Sequence, residues 1–420
     1  MEQKLQEKEG QTNKEEKVEY EQQTNKKNEL NKEEEEVELN KENEQNKENE
    51  QNKNNQINNQ TNKNNQTNKN NQIKQQQQQE KQEGMWLGLL IGDALGAVLE
   101  FKRGISQKDV EQAMKMPGGG VHKVAPGQVT DDGELSLCLA HGLCAGKGKL
   151  DLNFVAAFFG EWFKSKPFDC GNTVRRAVPK AVNMKVHQAE MVRRGANNKD
   201  SLSSQSNGSL MLLAPYCVWA HKLSEDEIAT GAKQITILTH PNYFCQLSNI
   251  FYSILAKYIL QDIQGLKAVE MTLDYFKQKY NKNEQEKTFI GWIQKVIEGQ
   301  LPSTQKIGSG NVQVALSYAI YYIIREDISF EDSMKQLLIL GGDTDTNAAI
   351  MGALKGGQIG RSNLPQNLQE KVLQKDNKRN NRDAFLKPSK YFQSLVENLI
   401  QIAPTKLEMV GDSESYVKKK

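Results

Sequence analysis

The run Leu90-Ile91-Gly92-Asp93-Ala94-Leu95-Gly96 decides how this chain is read. Around it, Leu87, Leu90, Ala94 and Val98 fall at i, i+3, i+7 and i+11, a single stripe of a period-3.6 helix turned to a core. Gly88, Gly92 and Gly96 recur every fourth residue and leave a second face without side chains. Glycine inside a helix costs ~1 kcal/mol relative to alanine. Three of them imply close approach by a backbone, a neighbouring helix or a ligand. Asp93 and Glu100 stand seven apart, so both carboxylates can share a side. Tight helix packing with two solvent-facing acids also accounts for this segment taken alone.

Outward from this run, period-3.6 patterns dominate over strict alternation. Helices are predicted over Met85–Phe101, Glu134–Leu143, Asn153–Phe163, Thr173–Val186, Leu210–Lys222, Asp226–Leu238, Tyr243–Gln261, Leu266–Tyr280, Lys287–Glu298, Val312–Arg325, Glu331–Leu340 and Thr346–Gly356. Strand-turn-strand units are missing. The expected fold is all-α, a compact multi-helix domain over residues 84–404, with glycine-rich loops carrying the chemistry. Residues 405–420 are polar, end in three lysines, and are expected to fray.

Ahead of the domain the composition changes abruptly. Residues 1–83 hold nine apolar side chains, with Asn, Gln, Glu and Lys filling nearly everything else. That cannot offset an ordering entropy of roughly 1–2 kcal/mol per residue, so a long disordered tail is expected; its Glu-rich section is alternatively a transient solvated helix. The tail carries 14 Lys and 19 Glu, a charge of −5 against +2 for the whole chain, which leaves +7 on the remaining 337 residues. So weak a basic excess does not argue for nucleic-acid binding. Apolar runs fall short of the ~20 residues that span a bilayer. MEQKLQEKEG resembles neither a secretory signal nor a transit peptide. The five cysteines form no CxxC pair, which fits reduced thiols in a cytoplasmic protein, with the nucleus also compatible.

Two further clusters carry acids. Gly127-Gln128-Val129-Thr130-Asp131-Asp132-Gly133-Glu134 follows a Pro-Gly turn and offers Thr130 as a helix N-cap. Capping and the helix dipole explain one or two acids there, and explain less well why a threonine and two adjacent aspartates follow a Pro-Gly turn that would expose them. In Gly341-Gly342-Asp343-Thr344-Asp345-Thr346-Asn347, alternate positions of an extended loop turn Asp343 and Asp345 to one point. The donors are hard oxygens, suited to Mg²⁺, Mn²⁺ or Ca²⁺ rather than zinc. A phosphotransferase Asp-x-Asp motif would follow a buried parallel strand, and no α/β alternation is present. Together the clusters supply about five carboxylates, which repel strongly unless cations neutralise them. Two divalent ions are the simplest answer.

The segments IGDALGAVLEF (Ile91–Phe101), GQVTDDGELSLCLA (Gly127–Ala140) and LGGDTDTNAAIMGALKGGQIG (Leu340–Gly360) resemble the ADP-ribosylglycohydrolase family. Between them lie GNTVRRA (Gly171–Ala177), SNGSLMLLAP (Ser206–Pro215), LTHP (Leu238–Pro241) and GSG (Gly308–Gly310), in the family's order. The resemblance implies an all-α hydrolase with two Mg²⁺ (or Mn²⁺), cleaving ADP-ribose from an acceptor. It implies Thr130, Asp131, Asp132, Asp343, Asp345 and Thr346 as metal ligands, and Glu100, Asp132 and Asp343 as catalytic. It further implies Gly171, Asn172, Thr173, Ser206, Asn207, Gly208 and His240 at the substrate. His122, His141, His187 and His221 have no partner spacing and are read as structural or exposed.

Two positions depart from the family pattern. Gly133 stands where many members carry a hydroxyl, and Leu212 where an arginine usually follows the methionine. The expected partner is an ADP-ribosylated protein or an ADP-ribose-containing small molecule, with no nucleic acid, no membrane and a monomeric chain. A non-hydrolytic ADP-ribose-binding or structural protein on the same scaffold is the rival reading; retention of every carboxylate argues against it.

Overall fold

The glycine stripe meets a second helix of small residues. In the computed structural model, which describes residues 2–183, 187–374 and 382–410, one helix spans Glu2–Gly96 and the other Thr344–Ile359. A Cβ on Gly88 would lie 2.1 Å from the carbonyl oxygen of Gly352, and one on Gly92 2.1 Å from that of Ala348. On Gly96 it would lie 2.4 Å from the backbone of Asp345, and Gly84 extends the series against Gly356. No side chain fits at such distances, so close approach of a neighbouring helix is what the glycines serve. Thr344 fastens the end of the pair, its hydroxyl donating to the Gly96 carbonyl at 2.7 Å. Asp93 and Asp345 therefore belong to two helices in backbone contact.

Around this pair the domain is helical. Asp131–Ala145, Leu152–Lys164, Glu225–Thr239, Tyr243–Leu260, Gly265–Lys279, Glu284–Ile297, Val312–Ile324 and Phe330–Leu338 lie where the apolar periodicity puts them. Tyr243–Leu260 is central: Phe251 packs edge-on against Phe276 and Phe289, and the Tyr252 hydroxyl donates to the Ile350 carbonyl at 2.9 Å. Strand pairing among the described residues is confined to Leu150–Asp151 with Met409–Val410, in parallel, and two isolated bridges. No described helix is long and apolar enough to cross a membrane, and all five cysteines are free thiols.

Three predicted helices end or break inside their apolar patterns. The first ends at Gly96, and Ala97–Phe101 forms a turn in which the Phe101 N–H donates to the Gly342 carbonyl. The Thr173–Val186 pattern divides into Asn172–Ala177 and a tight turn at Val178–Ala181 built on Pro179; residues 184–186 lie outside the described residues. A proline disfavours the α conformation of the residue before it and lacks the N–H to continue. In place of Leu210–Lys222, a helix runs over Ala214–Ala220 with Pro215 in its first turn. Several helices lack a predicted counterpart, among them Gln188–Ala196, Gln366–Gln374 and Pro388–Gln401.

The boundaries also differ from the expected ones. The fold reaches back past Gly84: Glu83 pairs with Arg361 at 2.6 Å, Glu80 accepts from the Ser362 N–H, and Gln82 is buried against His221. Residues through Lys74 form a unit of their own. That stretch is helical, as in the solvated-helix alternative for its Glu-rich section, and Val18, Tyr20, Leu30, Val37, Leu39 and Ile73 stand in solvent, so its described residues supply no core. At the other end, residues 405–410 do not fray: the Leu407 N–H donates to Glu227, Lys149 pairs with Glu408, and Met409–Val410 joins the strand pair. Residues 411–420 lie outside the described residues.

Candidate active site

Asp93 organises the site from beneath. Its carboxylate accepts from the backbone N–H of Thr130 at 2.9 Å, the Thr130 hydroxyl at 2.9 Å and the Gly133 N–H at 2.8 Å. Asp93 thus supplies, from another helix, the acceptor that caps the Asp131–Ala145 helix, since Thr130 makes no side-chain cap of its own. Thr130 Oγ1 also lies 3.0 Å from Asp132 Oδ2, so its one proton is shared between the two carboxylates, while Asp132 Oδ1 is buried with no partner among the described residues. Asp131 turns the other way, accepting from the Gly171 N–H at 3.1 Å.

The second wall comes from Gly341–Asn347. Gly341 and Gly342 both adopt the left-handed backbone, at φ +71° and +81°, which turns the chain sharply into Asp343. Asp343 accepts from Asn207 Nδ2 at 2.9 Å, and its own N–H donates to Ser309 Oγ at 3.1 Å. Asp345 is buried, its Oδ1 accepting from the Thr346 N–H. Oxygen atoms of Asp93, Asp132 and Asp345 lie within 4.8 Å of one another, as do those of Glu100, Asp343 and Asp345. Asp345 belongs to both sets.

Burial is the leading cause of strongly raised carboxyl pKa values here, followed by the acids' repulsion of one another. It pushes Asp93 up to about 7 and Glu100 up to about 8, and Asp131, Asp132 and Asp345 well above the carboxylate range. Asp343 is raised too, by burial, against the pull of its Asn207 hydrogen bond. So many adjacent acids stay ionised together only with cations among them. The all-oxygen donors and the unpartnered Asp132 Oδ1 fit hard divalent ions.

Above the acids opens a cavity of about 400 Å³. Of the residues proposed from sequence, Glu100, Asp131, Asp343, Asp345, Thr346, Gly171, Asn172, Thr173, Ser206, Asn207 and Gly208 line it. Thr130 and Asp132 lie buried below. His240 does not line it: its Nε2 lies 2.6 Å from the Thr173 hydroxyl, its Nδ1 2.8 Å from that of Thr239, and burial pushes its pKa down to about 3. A neutral imidazole therefore props the Thr173 loop from behind. Gly133 fits its surroundings, because a Cβ there would lie 2.5 Å from Val129 Cβ and 2.9 Å from Asp93 Oδ2. Leu212 is buried in the apolar core.

Sequence reasoning left three site residues unassigned. Asp93 was visible between its glycines and on one side with Glu100, but was given no role. Asp169 lines the cavity two residues before Gly171, where an acid beside a glycine loop was the available signal. His122, read as structural or exposed, instead lies with Nε2 2.9 Å from Glu100 and 3.4 Å from Asp169. His141 and His221 are structural, held by the carbonyls of Phe385 and Val218, and His187 is exposed.

With this geometry in hand, comparison with known proteins points one way. The family model for ADP-ribosylglycohydrolase matches residues 74–403. The ADP-ribosyl-[dinitrogen reductase] glycohydrolase of Rhodospirillum rubrum is 29% identical over 295 residues, 67% of this chain and 86% of that protein. The ADP-ribosylarginine hydrolase Tri1 of Serratia proteamaculans (strain 568) is 26% identical over 309 residues, 71% and 76% of the two chains. A solved chain described as an ADP-ribosylglycohydrolase-related protein complex superposes with a TM-score of 0.58 at 23% identity, covering 78% of this chain and 99% of its own.

Proposed function

Since the chain belongs to the ADP-ribosylglycohydrolase family, we propose that it is a divalent-cation-dependent hydrolase releasing ADP-ribose from an arginine-type acceptor on a protein. The observation that carries this reading is the meeting of acids from the helices Glu2–Gly96, Asp131–Ala145 and Thr344–Ile359 and the turns beside them, with no lysine or arginine among the described residues lining the cavity above. Asp131, Asp132, Asp343, Asp345 and Thr346 would hold two Mg²⁺ or Mn²⁺, with Asp93 and Thr130 steadying Asp132 from below. Ions so held supply charge neutralisation and Lewis acidity.

The remaining work falls to the chain's own groups. Asn207 and Ser309 fix Asp343, and the Gly171 N–H fixes Asp131, so the carboxylates are oriented before substrate arrives. The loops Gly171–Thr173 and Ser206–Gly208 offer backbone N–H groups and small side chains to the ribose and pyrophosphate. Hydrolysis breaks the bond from the ribose anomeric carbon to the acceptor nitrogen; water gives its hydroxyl to carbon and a proton to the departing nitrogen. Glu100, raised to about 8 by burial and by Asp169 and Asp343, is placed to hold that proton in transit. Asp169, across His122 from Glu100, is the second carboxyl at the same opening.

The test is ADP-ribose release from arginine- and serine-linked ADP-ribosylated proteins, with Mg²⁺ and then with EDTA. Release from the arginine linkage that stops in EDTA, and that Asp343→Asn abolishes, is expected. No release from either linkage by a preparation that still binds ADP-ribose would turn the reading to a binding protein.

A further inference from the structure

Phe101 follows Glu100 directly and is unusual in three respects. Its φ is +55°, a left-handed backbone that is unfavourable for a bulky side chain. Among the described non-glycine residues with positive φ, it alone lines the cavity. Its side chain gains little from the fold, being 62% exposed. The conformation is nevertheless held, since the Phe101 N–H donates at 2.9 Å to the carbonyl of Gly342, the residue that leads into Asp343. A large apolar ring kept in solvent by a strained, pinned backbone at a cavity rim calls for something to cover it.

What covers it follows from its position and from charge. Glu100 shares the acid centre with Asp343 and Asp345, so its chain neighbour flanks the reacting end of the substrate. The adenine lies beyond the pyrophosphate, away from that end; the acceptor lies next to it. Among the described residues the cavity lining carries Glu100, Asp131, Asp169, Asp343 and Asp345, and no lysine or arginine. An aromatic face beside carboxylates suits a planar cation, which stacks on the ring while the acids receive its N–H groups. We infer that Phe101 is the specificity-determining platform for the acceptor, stacking the guanidinium of arginine-linked ADP-ribose. A serine-linked acceptor has neither the charge nor the plane to use it. The inference rests on the hydrolase reading above and assigns its acceptor side.

The experiment compares wild type, Phe101→Ala and Phe101→Trp on arginine-linked and serine-linked ADP-ribosyl peptides, with free ADP-ribose affinity measured by calorimetry. Phe101→Ala is expected to lower kcat/KM on the arginine-linked peptide about five- to thirtyfold, the span of a desolvated cation–aromatic contact. ADP-ribose affinity should change less than about twofold by the same measure, and Phe101→Trp should keep most of the activity. An equal loss of ADP-ribose affinity would assign the ring to the nucleotide and overturn the inference, as would unchanged kinetics in Phe101→Ala. Absence of release by the wild type would instead remove the hydrolase reading, and this inference with it.

Discussion

Asp132 and Glu134 sit two residues apart on the Asp131–Ala145 helix, both buried, and the protein treats them in opposite ways. Glu134 receives a full set of internal partners: Arg382 donates from Nη2 at 2.6 Å and from Nε at 2.7 Å, and Trp162 Nε1 donates at 2.7 Å. Asp132 receives only the Thr130 hydroxyl, and its Oδ1 has no partner among the described residues. Where an acid is structural, the chain brings its own cation and buries it alongside. At the cavity floor the chain crowds Asp93, Asp132 and Asp345 together and brings none among the described residues. An unbalanced cluster of this kind is costly to keep folded unless its counter-charge arrives from solution.

The sharpest way to break that contrast is to make one change, acid to amide, on each side of it. Asp345→Asn removes the carboxylate common to both oxygen sets and should cut turnover by about a thousandfold or more, the scale set by loss of a key electrostatic element. Its stability in EDTA should be unchanged or higher, because one of several repelling charges is gone. Glu134→Gln should do the reverse, leaving turnover per folded molecule close to wild type. Its unfolding free energy should fall by about 3–5 kcal/mol, because Arg382 stays buried without its counter-ion. Denaturant unfolding and initial rates on the two variants give both numbers. Equal destabilisation of the pair would mean that the cavity acids are structural after all.

Proton linkage gives a second, smaller separation. Asp93 and Glu100 have pKa values raised to about 7 and about 8, from 3.8 and 4.5. A raised folded-state value stabilises fully below the unfolded pKa, and that stabilisation is lost as pH rises through the folded one. In EDTA, stability should therefore decline between about pH 4.5 and 8, by up to about 1.4 kcal/mol per unit for each such carboxyl. Mg²⁺ should restore it at pH 8 and matter little at pH 5. His221 and His240, held neutral with values near 4 and 3, act in the opposite direction as pH falls below about 6.5. They act with or without the ion, so the difference between the two melting profiles isolates the acids. Parallel profiles would sink the idea.

Much of this arrangement was legible in the sequence, for identifiable reasons. Glycines at every fourth position announce a backbone contact whatever the partner, and Asp-Asp and Asp-Thr-Asp announce hard-oxygen ligands by type alone. The end of the first helix was not legible: the apolar pattern runs on through Leu99, and the chain turns at Gly96 because the Gly342 carbonyl takes the Phe101 N–H. His122 escaped because its partners, Glu100 and Asp169, are distant in the chain and meet it only in the fold. His240 was placed at the ligand from its motif, whereas its hydrogen bond to Thr173 sets it one layer back. Pro388–Gln401 carried a readable stripe in Phe392, Leu395, Val396 and Leu399, hidden behind a polar flank.

Gly133, the residue between the two contrasted acids, tests how finely the cavity floor is set. Its N–H donates to Asp93 Oδ2, and Val129 fills the space where a side chain would begin. Gly133→Ala should press on both at once, at an overpacking cost of about 1–2 kcal/mol, the low end of the range because alanine is the better helix former. The added methyl also pushes toward Asp93, so the concentration of Mg²⁺ needed for half-maximal activity should rise more than the melting temperature falls. Adding Val129→Gly removes the Cβ and Cγ2 that crowd the position, and the double variant should recover stability beyond the sum of the single changes, the sign of direct contact. Strict additivity in that cycle would mean that Val129 does not set the room at this position. The glycine would then be kept for the Asp93 hydrogen bond alone.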